Sequence, residues 1–227
     1  MMISPDAYYE EHLKGKTTDE IMSAIRGLKR EIGHLKRTIE NPNYICTMHP
    51  SERVRLSCTR EYLERAKAAL MEAGGVYTPS QKEIRAEIFD SNIDAISKVI
   101  FSIGGYFDGY ETRIYTILEE KLIADVEHSL ILKPSNIDEP MICELEKEDL
   151  LEGIRRLHIG EWLRNYSPRR WNMVVLDGTQ WSLEIRFSNG CKTVKIAGDN
   201  DYPYNFDELQ DLLGTCSNEA DGDYDDE

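Results

Sequence analysis

The densest set of potential ligands in the sequence is Asp125, Glu127 and His128. On a strand the two carboxylates share a face, and a divalent metal held between them would serve a hydrolytic or nuclease reaction. Ile123 joins them on that face, while Leu122, Ala124 and Val126 form the other. This is the alternation of a half-exposed strand, and acids at this spacing lack the fixed pattern of a metal motif. Cys46, His49 and Cys58 supply three zinc ligands where structural zinc takes four. They read as a linker histidine and buried thiols. Gly-x-Ser-x-Gly is absent, and no Ser or Cys sits in a nucleophile context. The run Gly104-Gly105-Tyr106-Phe107-Asp108-Gly109 lacks the Lys-Ser/Thr ending of a phosphate-binding loop and reads as a wide hairpin turn. Tyr106 and Phe107 at its tip are placed either to pack or to bind. No catalytic residue, cofactor or metal is assigned.

Two basic stretches invite a nucleic-acid reading. Arg164, Tyr166, Arg169, Arg170 and Trp171 interleave bases with aromatics, as a single-strand platform does. Arginines stacked on a partly buried Trp and neutralising nearby acids explain the same residues, and that reading is preferred. Arg26, Lys29, Arg30, Lys36 and Arg37 line one helix face opposite its apolar seam, which a solvated face explains.

Charge argues against direct nucleic-acid binding. The formal net charge is −15, and it is unevenly spread: residues 1–90 hold 14 bases and 14 acids, whereas residues 91–227 hold 13 and 28. Six of those acids fall in the tail from Ser217, so an acidic body remains without it. Such a field repels phosphate backbones and attracts basic protein surfaces. No stretch approaches the roughly 20 apolar residues of a membrane span, and the N-terminus lacks the basic start and apolar run of a signal peptide. Five scattered cysteines without a C-x-x-C pair argue against a disulfide framework. A cytoplasmic protein with reduced, buried thiols is expected.

The elements that would position these residues are α+β. Ser4-Pro5 starts a short helix ending near Gly15. Thr17 and Glu20 form a capping box before a seam of Ile21, Ile25, Leu28, Ile32, Leu35 and Ile39. Gly27 and Gly33 in that helix suggest a closely approaching partner. A helix from Glu52 to Ala73, with Leu56, Leu63, Ala66 and Leu70 inside, completes an antiparallel helical hairpin, and Ser80 with Glu83 starts a third helix through about Phe89. Strands are predicted at SKVIFSI, YETRIYTIL and KLIADVEHSLIL, then a helix over 147–163, then strands at WNMVVLD, QWSLEIRF and CKTVKIA with Asp177-Gly178 and Asn189-Gly190 as type I′ turns. Asn205 and Glu208 cap a last helix. The expected layout is a helical region over 1–90, an acidic α+β region over 91–216 built as two antiparallel three-stranded meanders each followed by a helix, and a disordered acidic tail over 217–227.

Several stretches carry a resemblance: LKGKTTDEIMSAIRGLKREIGHLKRTIENP, FSIGGYFDGYETRIYTI with DVEHSL, and DGTQWSLEIRF followed by KIAGDNDYPYNFDELQDLLG. Together they resemble a group of proteins encoded on plasmids, integrative elements and prophages of gut Firmicutes. The resemblance implies a bacterial cytoplasm and a mobile element, and it supplies no catalytic residues. Small acidic proteins of such elements include anti-defence factors, among them anti-CRISPR proteins that occupy the basic groove of an effector nuclease. The expected function is therefore a non-enzymatic inhibitor or binding protein whose acidic surface docks on such a groove. Strand alternation and turn position select Glu111, Glu119, Glu120 and Glu127 as its partner-binding surface, with Tyr106 and Phe107 beside it. The alternatives are a metal-dependent hydrolase or nuclease using Asp125, Glu127 and His128, and a structural or regulatory oligomer assembled through the helical seam.

Overall fold

A computed structural model of the chain describes residues 2–46, 49–105, 109–119, 121–129 and 145–214. Among them are six α-helices and one six-stranded mixed sheet, an α+β fold. The chain divides into two compact units, Met1–Gln81 and Lys82–Glu227. No helix among the described residues is long and apolar enough to cross a membrane.

In the first unit, α1 (Pro5–Tyr8) begins with Pro5 in the first turn, and the Ser4 hydroxyl accepts from the Ala7 amide at 3.1 Å. A π-helical turn over Tyr9–Leu13 continues it. At the start of α2 (Thr18–Ile39) the capping box is complete: Thr17 accepts from the Glu20 amide, and Glu20 accepts from the Thr17 amide at 2.9 Å. Helix α3 (Glu52–Glu72) ends where Gly74 turns left-handed, which lets the Gly75 amide reach the Leu70 carbonyl at 2.9 Å. Ile21 and Ile25 of α2 pack with Leu63, Ala66, Ala69 and Leu70 of α3 and with Leu13. Farther along α2, Glu31 pairs with Arg55 near the start of α3 at 2.6 Å. Tyr62 anchors the N-terminus, donating to the Ile3 carbonyl at 2.7 Å and stacking on Tyr8.

Two expectations for this unit fail. A Cβ at Gly27 or Gly33 would meet nothing within 4 Å, so no helix closes on them and the glycines sit on the open side of α2. Lys29 is not a freely solvated charge, because its ammonium donates to the Tyr77 hydroxyl at 3.0 Å.

The second unit begins with α4 (Gln81–Asp90) and a 3-10 turn, then β1 (Ile96–Gly105), β2 (Gly109–Leu118) and β3 (Lys121–Ser129). Helix α5 (Lys147–Arg156) follows, then β4 (Asn165–Tyr166), β5 (Gln180–Phe187), β6 (Val194–Asp199) and α6 (Phe206–Leu212). The sheet order is β3-β2-β1-β5-β6-β4. All neighbours are antiparallel except β4 with β6. One sheet thus replaces the two expected meanders. The reason lies in β1, whose Val99 and Phe101 pair in register with Ile185 and Leu183 of β5, so the inward faces of both halves make one continuous apolar layer. Phe206 of α6 covers it, with ring centroids 4.7 Å from Trp181 and 6.0 Å from Phe101. Buried Arg113 sits on this inner face as well. Its guanidinium is neutralised by Glu111 at 2.6 Å and donates to the Leu213 carbonyl at 3.0 Å.

Other differences are local. The segment WNMVVLD is not a strand. Pro168 starts a 3-10 turn through Trp171, Asn172 is left-handed, and the short β4 takes the edge beside β6. Asp177-Gly178 therefore joins a loop to β5, and a six-residue connection, 188–193, replaces the two-residue turn at Asn189-Gly190. The fifth helix stops at Arg156 because His158 adopts φ 49°. Asn205 does not cap α6. Its amide donates instead to the Leu157 carbonyl at 2.9 Å. Cys46 is exposed, and Cys58 and Cys191 are half-buried, contrary to the expectation of buried thiols. Cys143 and Cys216 fall outside the described residues, as does the tail from 217.

Candidate functional site

The sheet register fixes where the selected acids point. Glu111 lies directly opposite His128, and Glu127 opposite Thr112. Side chains alternate between faces along a strand, so Glu111 and Glu127 project from opposite sides of the sheet. Glu111 belongs to the inner face, where it is paired with Arg113 and only partly exposed. Glu119 is exposed in the turn after β2 with φ 56°, and its carbonyl accepts from Lys147 at 2.9 Å. Tyr106, Phe107 and Glu120 lie outside the described residues. Of the selected acids with described positions, only Glu127 stands on the sheet's outer face.

His128 faces inward with Glu111, while Asp125 and Glu127 face outward, so the three do not converge. Among the described residues, no three His, Cys, Asp or Glu side chains are grouped to hold a metal. Of the seam residues, Ile21, Ile25, Leu35 and Ile39 are buried within one chain, and Leu28 and Ile32 are partly buried.

The outer face is graded in charge along the strands. One pair of cross-strand rows holds Ile123, Thr116, Lys98 and Arg186, then Asp125, Ile114, Ile100, Glu184 and Lys195. Here Arg186 and Lys195 clamp Glu184 at 2.6 and 2.7 Å and hold its carboxyl below the usual carboxylate range, Lys195 contributing most. The next rows hold Glu127, Thr112, Ser102, Ser182 and Ala197, then Ser129, Tyr110, Gly104, Gln180 and Asp199. These strand positions carry two acids and no base.

At this acidic end the chain between β4 and β5 forms an apolar loop. Its base is fixed by Asp201, whose buried carboxylate accepts from the Ser167 amide at 2.8 Å, Arg170 at 2.9 Å and the Trp171 indole at 3.0 Å. The Arg170 guanidinium also lies over the Tyr166 and Trp171 rings, 5.1 and 5.3 Å from their centroids. This is the packing arrangement expected for the basic-aromatic stretch. At the loop's far end Gly178 passes so close to Asn200 that an added Cβ would stand 2.0 Å from its side-chain oxygen, and that oxygen accepts from the Thr179 amide. Held at both ends, the loop leaves Val174 84% and Leu176 98% exposed, with Met173 and Val175 partly so.

Beneath the loop is an open cavity of about 440 Å³ lined by Tyr110, Val175, Leu176, Asp177, Gln180 and Asp199. The Tyr110 hydroxyl donates to Gln180 at 2.6 Å, closing one wall. Burial pushes the Tyr202 phenol up from its ordinary value. A bond to Thr179 opposes that rise, and the charges of Asp199 and Asp201 add to it. Apolar side chains at full exposure beside acids can bury area against a partner and steer it electrostatically.

Sequence reasoning missed Val174 and Leu176 because four consecutive apolar residues read as a buried strand. The signals against it were Pro168, which starts a turn, and Asn172, a residue that tolerates a left-handed backbone. Comparison of the chain with protein-family models, with curated proteins and with solved structures returns no match.

Proposed function

We propose that this chain is a non-enzymatic binding protein that docks on a basic protein surface through the Met173–Leu176 loop and the acidic outer-face end of β2, β3, β5 and β6. The observation that carries the reading is the loop itself. Leu176 at 98% and Val174 at 84% exposure are anchored on both sides by hydrogen-bonded structure, so their display is built into the fold. Glu127, Asp177 and Asp199 give the surroundings their sign and select a partner with bases around an apolar hollow. The chain's charge of −15 and its resemblance to mobile-element proteins support a partner that handles nucleic acid. A defence nuclease such as a CRISPR effector presents a groove of that kind. The arrangement of the first unit, with α2 and α3 as an antiparallel hairpin, belongs to the same reading as a scaffold.

The test places a photo-crosslinking residue at Leu176 in the native host, identifies the protein captured, and then measures binding of the purified pair. Val174→Asp with Leu176→Asp should weaken that binding at least about tenfold, as expected for removing a central apolar anchor. Association should slow as salt rises, and nucleic acid should compete. A pair whose binding ignores both the double substitution and salt would refute the proposal.

A further inference from the structure

On another part of the second unit the charge is reversed. A cavity of about 720 Å³ lies between α4 and the start of β6, lined by Arg85, Ile88, Phe89, Arg164, Phe187, Cys191, Lys192, Thr193, Val194 and Lys195. Four of its lining residues are basic, and among the described residues that line it none is acidic. Lys195 is committed to Glu184 at 2.7 Å. Arg85 is not so committed. Its Nε is buried with no hydrogen-bond partner, and no carboxylate among the described residues pairs with Arg85, Arg164 or Lys192.

Acids outnumber bases two to one in this half of the chain, so a partner for an arginine is easily found. Arg113, Arg155, Arg170 and Arg186 each have one, in Glu111, Asp94, Asp201 and Glu184. Leaving two guanidiniums together without a carboxylate costs desolvation and like-charge repulsion. The strain shows in Arg164, which neighbouring atoms crowd although part of its side chain reaches solvent. That crowding first, and the Arg85 charge second, lower its pKa from the ordinary arginine value. An anion between the two would relieve both costs.

We infer that this cavity binds a small phosphate monoester carried on a flat, apolar body, a ligand of mononucleotide size. The guanidiniums offer the planar fork that meets phosphate oxygens in pairs, and Lys192 and the Thr193 hydroxyl extend the donor set. Phe89 and Phe187 meet edge to face with centroids 6.1 Å apart and, with Ile88 and Val194, supply an apolar wall. The volume lies within the roughly 300–1,000 Å³ range of small-molecule sites. This site is separate from the docking loop, and its test does not depend on any protein partner.

The experiment is isothermal titration calorimetry of the full chain against adenosine monophosphate, inorganic phosphate, adenosine and a short single-stranded DNA. Adenosine monophosphate should bind, inorganic phosphate should bind more weakly, and adenosine should give no heat at the same concentration. Arg164→Gln should reduce the monophosphate's affinity about tenfold or more, the scale of a lost charge-assisted hydrogen bond. Arg164 is exposed, so the variant should stay folded. Its unliganded melting temperature should be no lower than wild type, because one of two repelling charges is gone. Silence with adenosine monophosphate at millimolar concentration would overturn the inference, as would equal binding by Arg164→Gln. DNA binding far tighter than the monophosphate, and equally sensitive to Arg164→Gln, would overturn it in favour of a nucleic-acid backbone.

Discussion

Replacing Asp201 should unfold the second unit at much lower denaturant, because its carboxylate ties the Ser167–Trp171 stretch to the chain after β6 through three donors. The side chain is 1% exposed and accepts from the Ser167 amide, Arg170 and the Trp171 indole at 2.8–3.0 Å. Asp201→Ala leaves two neutral donors without that acceptor, each worth about 1 kcal/mol when left partly buried. The Arg170 contact is charge-assisted, but that side chain is 25% exposed, so water recovers part of it and about 1 kcal/mol is a fair discounted figure. The sum is on the order of 3 kcal/mol, which corresponds to a fall in Tm of roughly 6–12 °C for a unit of this size. Asp201→Asn keeps one acceptor oxygen while turning an amide toward other donors, and should lose about half as much. The assay is urea unfolding followed by tryptophan fluorescence. All three tryptophans, Trp162, Trp171 and Trp181, lie in the second unit, so the signal reports that unit alone. If Asp201→Ala were no more destabilising than the exposed Asp177→Ala, the three donors would have other acceptors, and the loop would not be anchored as described.

Gly27→Ala and Gly33→Ala should each raise stability by up to about 1 kcal/mol in urea unfolding followed by circular dichroism, since both sit inside α2 with open space at the Cβ position. Ile25→Asp should cost several kcal/mol by the same measurement, and Ile32→Asp less, because Ile25 is 1% exposed whereas Ile32 is only partly buried. Glu111→Gln should destabilise the second unit by about 2 kcal/mol by leaving buried Arg113 without its counter-charge, while the same change at outward-facing Glu127 should leave the midpoint unchanged. The folded-state pKa of Glu184 is depressed, so its contribution is complete above the ordinary carboxylate pKa of about 4.3 and fades as pH falls through the lower folded value. Glu184→Gln should therefore unfold earlier than wild type at pH 7, with the difference vanishing in acid-titrated melts.

What the sequence made legible is what neighbouring residues decide between themselves. The Thr17–Glu20 box, the Ser4-Pro5 start and the Gly74-Gly75 stop all depend on contacts within about six positions. The sheet order did not depend on such contacts. Pairing β1 with β5 joins residues almost ninety positions apart, and nothing local distinguishes that from two smaller sheets. The same limit governs charge. A net value of −15 is a sum over residues, and strand alternation within it placed Glu111 and Glu127 together on one surface. Recognition depends instead on which charges remain after pairing, and pairing is tertiary: Glu111 is consumed by Arg113, Glu184 by Arg186 and Lys195, and Asp201 by Arg170. Once those are set aside, an acidic end remains beside the apolar loop, and Arg85, Arg164 and Lys192, which no carboxylate among the described residues pairs, gather around one cavity. Two surfaces of opposite sign in one unit cannot be inferred from a single total, because the total measures only their difference.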